Sequence, residues 1–178
     1  MRKAVGLLFA VSLLVPVGVM VAGPAGSAAS KPTCKKVIGT VAYKPALPAT
    51  KAKVNSTATT TLNATGCVGG GVTAGKGVSS EKLTGYNCAV FLSNTHPKPT
   101  NGSIKWSPSG TSTTKTTLKI VKLAASGIIV KATQAITGGK FKGSTTTTTI
   151  SANLNKNGCN TKPLSLISFK NTSPLVTK

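Results

Sequence analysis

Acidic side chains are almost absent from this chain of 178 residues, in which Asp does not occur and Glu81 is the only Glu. Glycoside hydrolysis normally uses a pair of carboxylates, and a Ser-His-Asp triad needs one to orient its His. Ca²⁺ sites take several carboxylates, and Mg²⁺ sites usually take one or two. The sequence therefore argues against most hydrolases and against sites for hard divalent cations.

Arginine is missing beyond Arg2, and only six aromatic residues follow position 30. Arg supplies the planar fork that binds phosphates and guanine edges through two hydrogen bonds, whereas Lys is a mobile point charge. Few aromatic side chains remain for stacking on bases. We therefore expect no sequence-specific binding of nucleic acid.

Metal-binding and nucleotide-binding patterns are missing as well. The chain has one His, and the spacings between its successive cysteines are 33, 21 and 71, so no C-x-x-C pair occurs. Structural zinc sites use closely spaced ligands of this kind. No P-loop and no G-x-G-x-x-G motif is present. The sequence predicts neither a metal site nor a cofactor.

The first 29 residues are typical of a secretory signal peptide. Arg2 and Lys3 precede a long apolar run, helix-breaking Pro and Gly follow, and small residues at 25–29 offer a cleavage site. An uncleaved membrane anchor is the alternative, although the Pro and Gly content favours cleavage. We therefore expect a secreted or cell-envelope protein with one domain over residues 30–178 and no transmembrane helix after cleavage.

The rest of the chain consists of short alternating runs rich in Thr, Val and Ile, separated by Gly, Pro and Asn. This pattern is typical of all-β proteins. We predict a single antiparallel β-sandwich or irregular β-barrel of about eight to ten strands. Residues 87–92 fit either a strand or a single helical turn. The other candidate strands are residues 36–43, 54–65, 72–83, 102–107, 111–123, 128–136, 144–154 and 164–171.

An even number of cysteines in an exported chain predicts two disulfides. Strands 36–43 and 54–65 should form a hairpin around the Pro-rich residues 44–48, predicted as a loop, and this places Cys34 opposite Cys67. Cys88 and Cys159 then remain for the second bridge. Because four cysteines allow three pairings, the other two stay open as alternatives.

Few groups in the chain could carry catalysis. A Ser–Lys dyad and a Glu81–His96 pair are the enzymatic arrangements that the composition leaves open. Simpler interpretations are a surface ion pair between Glu81 and Lys82, and a solvated His96. We therefore predict that the protein is not an enzyme and has no catalytic residue, while an exposed loop at 96–99 would also fit a protease inhibitor.

Positive charge dominates the exported part of the chain. Removal of residues 1–29 leaves 20 lysines against one glutamate, a formal charge of +19. Spread along the chain, these lysines discourage aggregation of strand edges and also attract anions. The leading hypothesis is a non-enzymatic cationic module that associates with anionic cell-envelope polymers or surfaces. The alternative, based on the alternating strands, is a small apolar-ligand carrier or a pore-like β-barrel.

Several short motifs follow the signal-like segment in a fixed order. They are Thr33-Cys34, residues 41–48 (VAYKPALP), Gly66-Cys67 and residues 140–144 (KFKGS). In these motifs the chain resembles small secreted actinobacterial proteins to which no activity is assigned. The resemblance covers most of residues 30–178. It implies export and a β-rich fold, and it implies nothing about functional sites.

Overall fold

The structure, a computed structural model, describes residues 30–93, 98–124, 127–154, 159 and 162–178. Within these ranges the chain forms nine strands and one short helix. The helix, α1 (Cys88–Leu92), lies between the third and fourth strands. The strands are β1 (Thr33–Leu47), β2 (Val54–Val68), β3 (Ala74–Tyr86), β4 (Thr100–Ser107), β5 (Thr111–Ala124), β6 (Gly127–Gly139), β7 (Thr145–Asn153), β8 (Leu164–Asn171) and β9 (Leu175–Thr177).

Eight of the strands close into a barrel. Each strand from β1 to β7 pairs antiparallel with the next one along the chain, and β8 returns to pair with β1. Val41 of β1 therefore has a partner on each side, Thr60 of β2 and Ile167 of β8. The short β9 adds to β1 and β7 at one end. The predicted all-β fold is confirmed, and of the two predicted architectures the structure is the barrel.

The alternation of apolar and polar residues determines which side chains enter the barrel, because successive side chains of a strand point to opposite faces. On β2, Ala58 and Ala64 are buried inside the barrel, whereas Thr59 and Asn63 are exposed on its outside. The Thr-rich start of β7 alternates in the same way, and Thr146 points inward. Because the sheet is closed, one set of alternate side chains on each strand points into the barrel and the other set points to solvent.

One end of the barrel is filled by Trp106 at the end of β4. The indole is 2% exposed, and its Nε1 donates a hydrogen bond to Ser112 Oγ at 2.9 Å. The Phe141 ring stands edge-on to the indole, with ring centroids 5.5 Å apart. Gly75 lies directly beneath, since a Cβ there would come within 2.8 Å of Trp106 Cζ3. This end therefore depends on a glycine in a strand interior, where a larger residue would collide with the aromatic ring.

The helix α1 covers the opposite end of the barrel. Asn87 is its N-cap, and Asn87 Oδ1 accepts a hydrogen bond from the backbone N–H of Val90 at 2.9 Å. Phe91 packs edge-on against Tyr43 of β1, with centroids 6.0 Å apart. Residues 87–92, predicted as a strand or a helical turn, are thus a capped helical turn.

Both disulfides have the predicted pairing. Cys34 and Cys67 are directly opposite each other on β1 and β2, and they are bonded. Cys88 and Cys159 are also bonded, which ties α1 to the connection between β7 and β8. The first bridge reinforces a pair of strands that the sheet already holds together. The second joins α1 to Cys159, which is 71 residues further along the chain and lies in none of the nine strands.

The structure differs most from the predicted strands at β1 and at β9, a strand that was not predicted. Residues 44–47, predicted as a loop, are the end of β1. The pairing of β1 with β8 shifts register between Ala42 and Leu47. Pro45 is tolerated in this bulge because no backbone N–H is needed there for a hydrogen bond between the two strands. The Pro45 carbonyl accepts a hydrogen bond from Ser56 Oγ at 2.6 Å. With three residues, β9 is too short to show a distinctive alternation in the sequence.

We predict that removal of the second bridge loosens α1 specifically. Cys88→Ala with Cys159→Ala should lower the free energy of unfolding by about 2–4 kcal/mol, because the unfolded chain loses a cross-link. Amide hydrogen exchange in α1 should also accelerate under native conditions. The matched control is Cys34→Ala with Cys67→Ala, which should cost stability without a selective effect on α1. Equal exchange of α1 in the two variants would contradict this account of the second bridge.

Candidate functional site

A cavity of about 170 Å³ lies inside the barrel between the two covered ends. It exists because small residues occupy several inward positions, among them Ala58, Gly77, Ala132 and Ala152. A barrel of eight strands is either filled by its own side chains or holds one small ligand. The wall of this cavity is largely aliphatic and aromatic, and it includes Val37, Val41, Leu62, Val130, Ile150, Ile167 and Phe169.

The only acidic side chain, Glu81, faces this cavity. On β3 the residues Gly77, Glu81 and Leu83 share the inner face, whereas Lys82 is exposed on the outer face. Glu81 is half-buried, and its Oε2 accepts a hydrogen bond from Thr100 Oγ1 at 3.0 Å. The predicted surface ion pair between Glu81 and Lys82 is therefore wrong, because neighbouring residues of a strand point to opposite faces. No lysine in the described part of the chain forms an ion pair with Glu81.

Two tyrosines lie within the electrostatic influence of Glu81. Burial raises the pKa of Tyr43 above its ordinary value of 10.0, and the charges of Glu81 and Tyr86 raise it further. Burial, followed by the charge of Glu81, also raises the pKa of Tyr86. Both phenols are therefore neutral at physiological pH. Tyr43 itself lines the cavity.

A second polar group lies on the opposite side of the cavity wall, on β5, β6 and β7. Gln134 Nε2 donates hydrogen bonds to Thr116 Oγ1 at 2.9 Å and Thr114 Oγ1 at 3.3 Å. Gln134 Oε1 accepts one from Thr146 Oγ1 at 3.3 Å. The amide of Gln134 and the three threonine hydroxyls are hydrogen-bonded to one another. This part of the cavity wall is therefore polar, but its polar groups already have partners. No motif marks Gln134 in the sequence, although it shares the inner face of β6 with the buried Val130 and Ile136.

The residues that line the cavity are exposed to solvent near the start of β4. The pairing of β4 with β5 ends at Thr100 opposite Thr116, and the rest of β5 pairs only with β6. Just past that point Leu118 lines the cavity and is 43% exposed. Glu81 accepts a hydrogen bond from Thr100, so it is close to the part of the cavity wall that solvent reaches.

The lysines lie on the outside of the barrel, and they are unevenly distributed. Of the 19 lysines in the described ranges, 18 are exposed and Lys140 is half-buried. Strands β3 to β6 carry seven, against four on the other five strands. We call these seven the lysine face: Lys76, Lys82, Lys105, Lys115, Lys119, Lys122 and Lys131.

Two pairs within the lysine face bring like charges together. Lys76 on β3 is directly opposite Lys105 on β4, and Lys119 on β5 is directly opposite Lys131 on β6. Side chains opposite each other in an antiparallel pair have Cβ atoms about 5 Å apart, and like charges there are destabilising. Because Glu81 points inward, no acidic side chain lies on the outer face of the described strands to offset this repulsion.

The other groups considered for catalysis are His96 and a Ser–Lys dyad. His96, and with it the predicted Glu81–His96 pair, lies outside the described residues, as does residue 97 of the loop 96–99. A Ser–Lys dyad needs a desolvated lysine amine, and no described lysine is buried. Within the described ranges no three His, Cys, Asp or Glu side chains cluster as metal ligands would. In the same ranges no helix has the length and apolar character needed to cross a membrane.

The geometry defines a closed eight-stranded antiparallel barrel with two disulfides, an apolar cavity that contains one carboxylate, and a lysine-rich exterior. Comparison with protein-family models, with curated protein sequences and with solved structures gave no match.

We predict that the buried phenol of Tyr43 makes the barrel sensitive to alkali. In the unfolded chain Tyr43 should ionise near the ordinary pKa of 10.0, whereas in the barrel it keeps its proton. A group whose pKa is raised by folding contributes stability below the unfolded pKa and loses it as pH rises through the folded pKa. The free energy of unfolding in urea should therefore fall above about pH 10 in the wild type and fall less in Tyr43→Phe. Deprotonation of lysines is common to both proteins, so an equal fall in the two would contradict the prediction.

Proposed function

We propose that this protein is a non-enzymatic, cationic β-barrel that binds anionic polymers of the cell envelope through its lysine face. The observation that carries the proposal is the segregation of charge. The one acidic side chain is turned into the cavity, while strands β3 to β6 present seven lysines outward. A surface of one sign gathers counter-ions and polyanions and speeds their association.

The spacing of the lysines suits an extended polymer. Lys115 and Lys119 are four residues apart on β5, about 14 Å at the rise of an antiparallel strand. Lys131 lies across from Lys119, and Lys105 lies on the neighbouring strand β4. Charges are thus presented in a band that crosses four consecutive strands. A polymer with regularly repeated phosphates or carboxylates could contact several of them at once.

The repulsion within this band supports the same proposal. Lys76 with Lys105 and Lys119 with Lys131 are like-charge pairs that destabilise the free barrel. An anionic group bound between the two amines of such a pair would offset that repulsion. Binding and stability should therefore be coupled, since a ligand that binds only the folded state stabilises it.

The basic residues of this surface are all lysines, and lysine favours binding that depends on charge rather than on a particular arrangement of ligand groups. The ammonium group offers charge without a fixed planar geometry, so it does not select the pattern of a particular sequence. At physiological salt the attraction extends only about 8 Å, so it acts mainly on contact. We therefore propose binding that depends on charge density and on salt, at the cell surface to which the proposed signal peptide at residues 1–29 would deliver the chain. Two disulfides suit such an oxidising compartment.

We predict that retention on a phosphate-bearing cell-wall polymer depends on the lysine face. The test variant changes Lys76, Lys105, Lys119 and Lys131 to Gln. The slope of log affinity against log salt should become shallower by about 0.7 per lysine removed, because fewer counter-ions are released. The measurement is the dissociation constant of the oxidised protein for the polymer over a salt series, with anionic vesicles and nucleic acid as comparison ligands.

The matched control for that variant removes the same charge from the rest of the barrel. Lys35, Lys36, Lys44 and Lys170 are the four lysines on the other strands, and all four are exposed. Their change to Gln should leave the slope close to the wild-type value. Equal effects of the two variants would show that net charge alone acts and that the lysine face has no special part. Absence of salt-sensitive retention on the polymer would overturn the proposed function.

A further inference from the structure

We infer that the cavity is a binding site for a small apolar amine, held with its ammonium group against Glu81 and its apolar body inside the barrel. This site is separate from the lysine face and does not depend on polymer binding. It rests on three features of the described residues: the volume of the cavity, the character of its wall, and the place of the single carboxylate.

The volume is that of a compact organic group. A cavity of about 170 Å³ is several times the roughly 30 Å³ that one water occupies in the liquid. Apolar cavities of about 150 Å³ accept benzene-sized guests and otherwise stay dry. The aliphatic wall offers water few hydrogen-bond partners, so an apolar guest is favoured over a cluster of waters.

The carboxylate specifies the polar end of the guest. Among the described residues the hydrogen bond that Glu81 accepts comes from Thr100 Oγ1, and a carboxylate can accept several. Burial of a carboxylate is costly unless partners compensate its charge. The described part of the chain supplies no lysine to Glu81, although 19 lysines lie elsewhere in it. A ligand ammonium would supply both the opposite charge and the missing donors.

The position of Glu81 also sets the orientation of the guest. Glu81 and Thr100 lie near the exposed Leu118, whereas Val41, Ile167 and Phe169 form the apolar wall on strands β1 and β8. An amine would thus keep its charged end towards solvent and place its apolar end against the wall. Gln134 lies on the opposite side of the cavity wall and is already hydrogen-bonded to three threonines. It therefore does not compete with Glu81 for the ammonium group.

The lysine exterior gives this site a distinctive response to salt. A cation that approaches a barrel of this charge is repelled, and salt screens that repulsion. The association rate of an amine should therefore rise as salt is added. Polyanions on the lysine face should respond in the opposite sense, so the two activities can be separated in one preparation.

The test uses three probes of matched size that differ in charge: benzylamine, benzyl alcohol and benzoate. Binding to the oxidised protein is measured by calorimetry and by ligand-observed NMR. We expect benzylamine to bind about tenfold or more tightly than benzyl alcohol, the usual scale of a charge-assisted hydrogen bond, and benzoate to bind most weakly. Equal affinity for the amine and the alcohol would overturn the assignment to amines, and absence of binding by every probe would overturn the site.

Two variants connect the result to the structure. Glu81→Gln keeps the shape of the side chain and the oxygen that Thr100 contacts, so it should reduce benzylamine binding to the level of benzyl alcohol and leave the alcohol unchanged. Ala58→Leu, opposite Glu81 on β2, should fill the cavity and abolish binding of all three probes. Retention of the amine preference in a folded Glu81→Gln protein would contradict the inference. Polymer retention should be the same in Glu81→Gln and wild type, so failure of one proposal is distinguishable from failure of the other.

Discussion

The pairing of β1 with both β2 and β8 is the constraint on which the rest of this structure depends. Because β1 has a partner on each side, the eight-stranded sheet has no free edge along its first strand, and every inward position faces a common interior. The bulge between Ala42 and Leu47 lets β1 continue past Pro45 to reach Leu164 at the start of β8. Without this seam the strands would form an open sheet, and neither a cavity nor a separate exterior would be defined.

Closure also separates the charges of the chain. A strand that alternates strictly must place neighbouring residues on opposite faces, so Glu81 enters the barrel while Lys82 stays outside. The same rule directs Lys119 and Lys131 outward to meet as a like-charge pair. Repulsion between lysines outside and a carboxylate inside that no described lysine pairs with are both unfavourable in the free protein. The two proposed activities share this physical origin, since each supplies the charge that one face of the barrel lacks.

Much of this structure was predictable from local pattern, and the remainder depends on non-local pairing. The bridge between Cys34 and Cys67 followed from a hairpin, and β8 has the predicted bounds Leu164–Asn171. The choice of barrel over sandwich was not predictable, because no local feature specifies that β8 pairs with β1. The cavity depends on the summed volumes of side chains from all nine strands, and the alternation within each strand does not reveal that sum. The expected ion pair between Glu81 and Lys82 is wrong because the two are neighbours on a strand, and the alternation of β3 towards Leu83 places Glu81 inside.

The most direct test of the account is the detection of contacts across the β1–β8 seam by nuclear Overhauser spectroscopy on the oxidised protein. The account predicts cross-strand contacts from Thr40 to Ser168 and from Val41 to Ile167, in the same monomer that shows Val41 in contact with Thr60 of β2. Presence of both sets would establish the closed barrel, and with it an interior that contains Glu81. Contacts from β1 to β2 without those from β1 to β8 would mean an open sheet and would contradict the account.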